Sequence, residues 1–111
     1  MERSARKRNV GEWKLIDGII VALCADYGRR KHAIEEKSVP KRVRMEYIYI
    51  NTRMLAAAGE IVGLPLAETV IDEIGRKIGY AKSEVGCICE LSYKSLKQSV
   101  KKNIARKLYL Q

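Results

Sequence analysis

Phenylalanine is absent from this 111-residue chain, and histidine and tryptophan occur once each, as His32 and Trp13. A single histidine leaves little room for acid–base catalysis near neutral pH. Glu35-Glu36 and Asp72-Glu73 are neighbours on helical stretches, so the carboxylates of each pair splay apart rather than converge on a substrate. Gly11, Gly18 and Gly28 are spread out, not gathered into a phosphate-cradling loop. No enzyme activity and no cofactor are expected.

Cysteine is scarce and odd in number: Cys24, Cys87 and Cys89. The C-x-C pair is too tight for an ordinary structural disulfide, which fits a reducing cytoplasm. A zinc site would need four ligands in paired spacing, so the thiols read as small, partly buried side chains. No apolar run reaches the length of about 18 residues that spans a bilayer. The basic opening is followed by an apolar run that contains Asp17 and leads to no small-residue cleavage site, so no signal peptide is expected. The expected location is cytoplasmic.

What the chain does have is positive charge, +9 net, in three blocks. Residues 1–10 carry four basic and one acidic side chain, residues 28–46 seven and three, and residues 92–111 six and none. Segmental charge of this kind favours a polyanionic partner over mere solubility. A membrane surface is the weaker alternative, because the basic C-terminal stretch lacks a Trp/Phe-rich apolar face. With 47% apolar residues, the chain should fold as one globular domain over residues 11–111, behind a basic flexible arm at 1–10.

The fold class expected is all-α, a bundle of about five helices. Trp13, Ile16, Ile20, Leu23 and Tyr27 form one stripe, broadened by Ile19, on a first helix from Trp13 to about Glu36 that Gly28 ends or bends. Ser38-Val39-Pro40 breaks the chain. A second helix, Lys41 to about Val62, carries two adjacent stripes: Met45, Ile48, Thr52, Leu55, Gly59, Val62 and Tyr47, Ile50, Met54, Ala57, Ile61. So broad an apolar surface belongs to a central core helix or to one shared with a second subunit. Gly63-Leu64-Pro65 separates it from a third helix on which Leu66, Val70, Ile74 and Ile78 face the core, with Glu68, Asp72 and Glu73 outward. Ser83 caps a short helix to about Glu90. Ser92 then opens a last helix to about Leu108, with Tyr93, Leu96, Val100, Ile104 and Leu108 inward and lysines over the rest.

The stretch Glu73–Leu91 carries the most information about function. Ile74, Gly75, Ile78, Gly79, Tyr80, Val85 and Ile88 fall at helix-turn-helix offsets. Gly75 would let a second helix cross closely, and Gly79 would reverse the chain at positive φ. Val85 and Ile88 would be the buried stripe of the second helix. An ordinary αα-corner shares these positions.

Ile78-Gly79-Tyr80-Ala81-Lys82-Ser83 resembles the L-G-Y-S-x-S turn of sigma-70 region 4-like helix-turn-helix proteins. Ser92-Tyr93-Lys94-Ser95-Leu96-Lys97 and Asn103-Ile104-Ala105-Arg106-Lys107-Leu108 are similar to the last helix of phage late-gene activators of the autolysin-regulator type. The resemblance covers about residues 66–108. It implies a DNA-binding transcriptional regulator of phage or prophage type, with double-stranded DNA as partner and RNA polymerase as a second candidate. It departs at Glu84–Leu91, which intervene where the recognition helix should begin. Two registers follow. Either Ser83–Glu90 reads DNA, exposing Glu84, Gly86, Cys87 and Glu90, or Ser83–Leu91 is inserted and Ser92–Leu108 reads it. Charge favours the second.

The site expected comprises Arg76, Lys77, Lys82 and Ser83 at the turn and Tyr93, Lys94, Lys97 and Lys101 on the last helix. Gln98 and Asn103 are the only amides there. The rival expectation, from another class, is an assembly module that forms a homodimer through the helix at 41–62.

Overall fold

The structure, a computed structural model, describes the backbone of residues 2–110 and the side chains of residues 11–110. It contains five α-helices: α1 (Glu2–Ala25), α2 (Tyr27–Glu36), α3 (Lys41–Val62), α4 (Leu64–Gly75) and α5 (Glu90–Lys107). A single 3₁₀ turn, Tyr80–Lys82, interrupts the connection between α4 and α5. Among the described residues there is no strand, and the all-α expectation holds. No single helix is long and apolar enough to cross a membrane.

The central helix is α3. It packs against α2, α4 and α5, while α1 packs against α4 and α5. Its bounds are those read from the sequence, because Pro40 opens it and Gly63 closes it. Gly63 adopts φ +86°, a conformation an L side chain strains to reach, and the chain turns through 108° into α4. The core is built from Ile20, Met54, Val70, Ile71, Val100 and Ile104, interleaved with Ala57, Ala58, Ala67 and Ala105. Alanines at the crossings let helix axes approach closely, so the larger side chains can interdigitate around them.

The first helix differs from expectation. It starts at Glu2, so the segment read as an arm continues the helix in its backbone; its side chains lie outside the described residues. It also breaks at Asp26 rather than Gly28. The cause is tertiary. Arg30, 3% exposed, turns inward, donating Nη2–H to the Leu23 carbonyl (2.7 Å) and Nε–H to Asn51 Oδ1 (2.7 Å). A carbonyl in the last turn of α1 is thus satisfied from α2, and the two helices can part. Asn51 in turn donates to the Tyr27 carbonyl at 3.3 Å, locking α2 onto α3. Ile19, expected to widen the buried stripe, is 48% exposed.

The end of α1 also explains Gly75. A β-carbon built there would lie 2.5 Å from the Ala25 backbone nitrogen and 2.7 Å from the Cys24 carbonyl carbon. Close approach was expected at Gly75, but the element that uses it is α1, not a following helix.

Beyond Gly75 the structure departs from expectation at several points. Helix α4 stops at Gly75, and the reversing residue is Lys77 (φ +57°), not Gly79, whose φ is −83°. The Ile78 N–H reaches back to the Glu73 carbonyl (2.9 Å) and the Lys77 N–H to Ile74 (3.2 Å), a Schellman closure. Residues 83–89 form no helix, and Ile88, expected to be buried, is 93% exposed. Helix α5 starts at Glu90 with Cys89, not Ser92, in the capping position. There the Cys89 Sγ lies 3.3 Å from Ser92 Oγ, and that contact, with the N–H groups of Ser92 and Leu91, lowers the thiol's pKa.

Candidate nucleic-acid interface

The 14 residues between α4 and α5 are held by one buried acid. Glu73 was expected to face outward; it is 4% exposed. Its Oε1 accepts from Ser83 Oγ (2.7 Å) and from Tyr93 Oη (2.7 Å), and its Oε2 accepts from the Glu84 N–H (2.7 Å). Ser83 Oγ also accepts the Val85 N–H at 3.1 Å. Burial works to raise the Glu73 pKa, but the Glu84 amide and the Ser83 and Tyr93 hydroxyls outweigh it, so the carboxyl sits below its ordinary value. The Tyr93 phenol is pushed up to about 12 by burial and by its bond to Glu73.

A second layer closes over this acid. Tyr80 Oη donates to the Ile88 carbonyl (2.9 Å), with the Cys87 carbonyl at 3.3 Å, and the rings of Tyr80 and Tyr93 lie 6.2 Å apart. Lys97 Nζ donates to the Ile78 carbonyl (3.0 Å) and stands 4.4 Å from the centre of the Tyr93 ring. Ser83, Tyr93 and Lys97, expected to meet DNA, therefore fix the connection to α5. Their side chains are buried or half-buried.

Lys101 also points inward. Its Nζ lies 2.7 Å from Asp17 Oδ1, a buried oxygen with no other partner, and ties α5 to α1. The structure nonetheless brings three of the expected cations together. Lys77, from the end of α4, and Lys97 and Lys101, from α5, line one depression of about 250 Å³ floored by Val21 and Ile74. Burial lowers the Lys97 pKa, and the charge of Lys101 pushes the same way.

The other three expected cations are placed differently. Lys94 is exposed on α5 and paired with Glu90 across one turn at 3.2 Å. Arg76 and Lys82 line a groove of about 450 Å³ whose other walls include Glu68, Asp72 and Glu84. Arg76 is itself paired with Asp72 at 3.1 Å. An anion approaching that groove meets carboxylates, so these two residues do not belong with the cradle.

Helix α5 presents outward Lys94, Ser95, Gln98, Ser99, Lys102 and Arg106, all exposed. Small hydroxyls and one amide between lysines can donate to and accept from base edges while the cations meet phosphates. Asn103 is not part of this face. It is buried, donating to the Ala57 carbonyl (2.9 Å) and Glu60 (2.9 Å).

Glu73 as an anchor and Ser95 and Ser99 as face residues were not expected from the sequence; Lys102 was expected on the surface of the last helix, where it lies, but not in the site. A signal for Glu73 existed. An acid in the last turn of a helix opposes the helix dipole, so it needs partners of its own.

Among the described residues no group of three or more His, Cys, Asp or Glu is placed to hold a metal. The chain matches no protein-family model, no curated protein and no solved structure.

Proposed function

We propose that the protein is a non-enzymatic binder of duplex DNA that docks through α5. The observation that carries this reading is the Lys77–Lys97–Lys101 cradle beside the basic outward face of α5, on which Glu90 at the first residue is the one acid. A depression of about 250 Å³ accommodates one phosphate, and a half-buried ammonium such as Lys97 gains from an anionic partner. With a backbone phosphate anchored there, Gln98, Ser95 and Ser99 face the neighbouring groove edge.

The finer reading, a phage or prophage transcriptional regulator with RNA polymerase as a further partner, rests on the resemblance of Ile78–Ser83, Ser92–Lys97 and Asn103–Leu108 alone. Of the two registers only the one that uses α5 has a helix to offer, since residues 83–89 form none. The long connection from α4 is a departure from the tight turn of that family.

Lys77→Glu combined with Lys94→Glu tests the proposal, since both side chains are exposed and neither holds the fold. Binding to a labelled random duplex, read by fluorescence anisotropy at about 50 mM salt, should fall at least tenfold with an unchanged melting temperature. Undiminished binding by that variant would remove α5 and the cradle from the interface. Preference for a matched single strand would move the reading to a different nucleic acid.

A further inference from the structure

Helix α3 buries Asn51, Met54, Ala57 and Ala58, yet its amino-terminal half turns apolar side chains to solvent. Met45 is 59% exposed, Ile48 43% and Tyr49 46%. These three make a ridge. Beside it runs a groove of about 380 Å³ between α2 and α3, walled by Ile34, Ile48, Thr52 and Leu55 and reaching Glu68 of α4. Ridge and groove therefore share one face of one helix, meeting at Ile48 and displaced along it by about one turn.

Charge follows the same displacement. The ridge lies at the basic end of α3, where Lys41, Arg42 and Arg44 have no carboxylate partner among the described residues. The far end of the groove holds Glu68, which accepts from Tyr27 and Lys31 at 2.8 Å each and still leaves about half its side chain exposed. Glu35 lines the near rim and makes no ion pair among the described residues. A surface with a ridge and a matching groove, basic at one end and acidic at the other, is complementary to itself when rotated by a twofold axis.

We infer that this face is a homodimer interface in which two copies of α3 pack antiparallel, with the axis passing near Ile48. Met45 of each copy then enters the groove between Thr52 and Leu55 of the other, and each Lys41–Arg42 end lies over the other's Glu68. A helix of 22 residues is about 33 Å long, ample for the roughly 800 Å² per partner of a standard interface. The inference stands independently of DNA binding, since none of its residues belongs to the cradle or to the outward face of α5.

Sedimentation equilibrium of the full chain without nucleic acid, loaded from about 1 to 100 µM, tests it. Wild type should dimerise within that range. Ile48→Glu and Met45→Glu should each weaken the dimer at least tenfold, about 1.4 kcal/mol or more. Leu15→Glu, at a still more exposed apolar position on α1, should leave it unchanged. Lys41→Glu with Arg42→Glu should weaken it as well, and wild-type association should fall with added salt. Should Ile48→Glu fail to fold, Met45→Glu carries the test at a side chain that touches little of its own core. A strict monomer at every loading overturns the inference, and so does a dimer that survives both ridge substitutions or is broken only by Leu15→Glu.

Discussion

Gly75 and Lys37 set opposite limits on what single residues contribute. At Gly75 the obstruction is backbone: a β-carbon there would lie 2.5–2.7 Å from atoms of Cys24 and Ala25, which cannot move without shifting α1. Gly75→Ala should therefore destabilise by about 3 kcal/mol, the upper end of overpacking costs. At Lys37 the backbone, not the space, is unfavourable. Lys37 holds φ +53° at the end of α2, closing it through the Ser38 N–H to Ala33 (3.2 Å). Left-handed conformation costs a non-glycine residue about 1–2 kcal/mol, partly offset by the chain entropy a glycine loses on folding. Lys37→Gly should stabilise by about 0.5 kcal/mol. Urea denaturation of the two variants beside wild type checks both signs, and a neutral Gly75→Ala would mean that α1 and α4 separate more readily than their packing implies.

Helix α5 is positioned as an element by Glu73, not by its own cap. Three of the donors around that carboxylate come from the connecting segment and from the first turn of α5, so the acid couples the end of α4 to the start of α5. Its folded pKa lies below the ordinary 4.5. The stability it contributes is therefore fully present above about pH 4.5 and is lost as pH falls through the lower folded value. Glu73→Gln keeps the shape but loses charge-assisted acceptance, and should cost about 2 kcal/mol at neutral pH. The gap between variant and wild type, measured by thermal unfolding, should narrow as pH falls from about 5 toward 3. A gap that stays constant would show that the Glu73 charge does not hold the segment.

Charge operates at the scale of the whole molecule. Several of the 22 basic side chains are tied down: Arg30 in the core, Lys101 on Asp17, Lys107 on Glu60 at 2.7 Å, and Arg53 between the rings of Tyr49 and Tyr109 while it caps the Lys107 carbonyl. Among the described residues, basic side chains without an ion pair include Lys102 on α5, Lys77 beside it, and Lys41, Arg42 and Arg44 at the amino end of α3. If α5 and the cradle meet a duplex, several phosphates are neutralised together. The logarithm of affinity should then fall against the logarithm of salt with a slope steeper than about −3, at roughly −0.9 per phosphate contact. A slope near zero, or no binding at about 50 mM salt, would leave the charge with a solubilising role.

The chain's local rules fixed a good deal of this architecture. Pro40 and Gly63 bound α3 at Lys41 and Val62, and a helical period placed Tyr93, Val100 and Ile104 inward on α5. Periodicity and capping act within one or two turns, so they are written in the sequence nearby. Tertiary structure decided the rest, because each remaining outcome depended on a partner far along the chain. Arg30 split the first helix by reaching Leu23 and Asn51, and α1 rather than a recognition helix claimed the space over Gly75. Glu73 drew Ser83 and Tyr93 inward and left residues 83–89 without a helix. A lysine read from sequence is a charge without a direction; Asp17 and the Ile78 carbonyl gave Lys101 and Lys97 theirs. The same holds for the broad apolar surface of α3. Its period shows two stripes, but only the packing of α2, α4 and α5 determined which was covered and left Met45 and Ile48 outward.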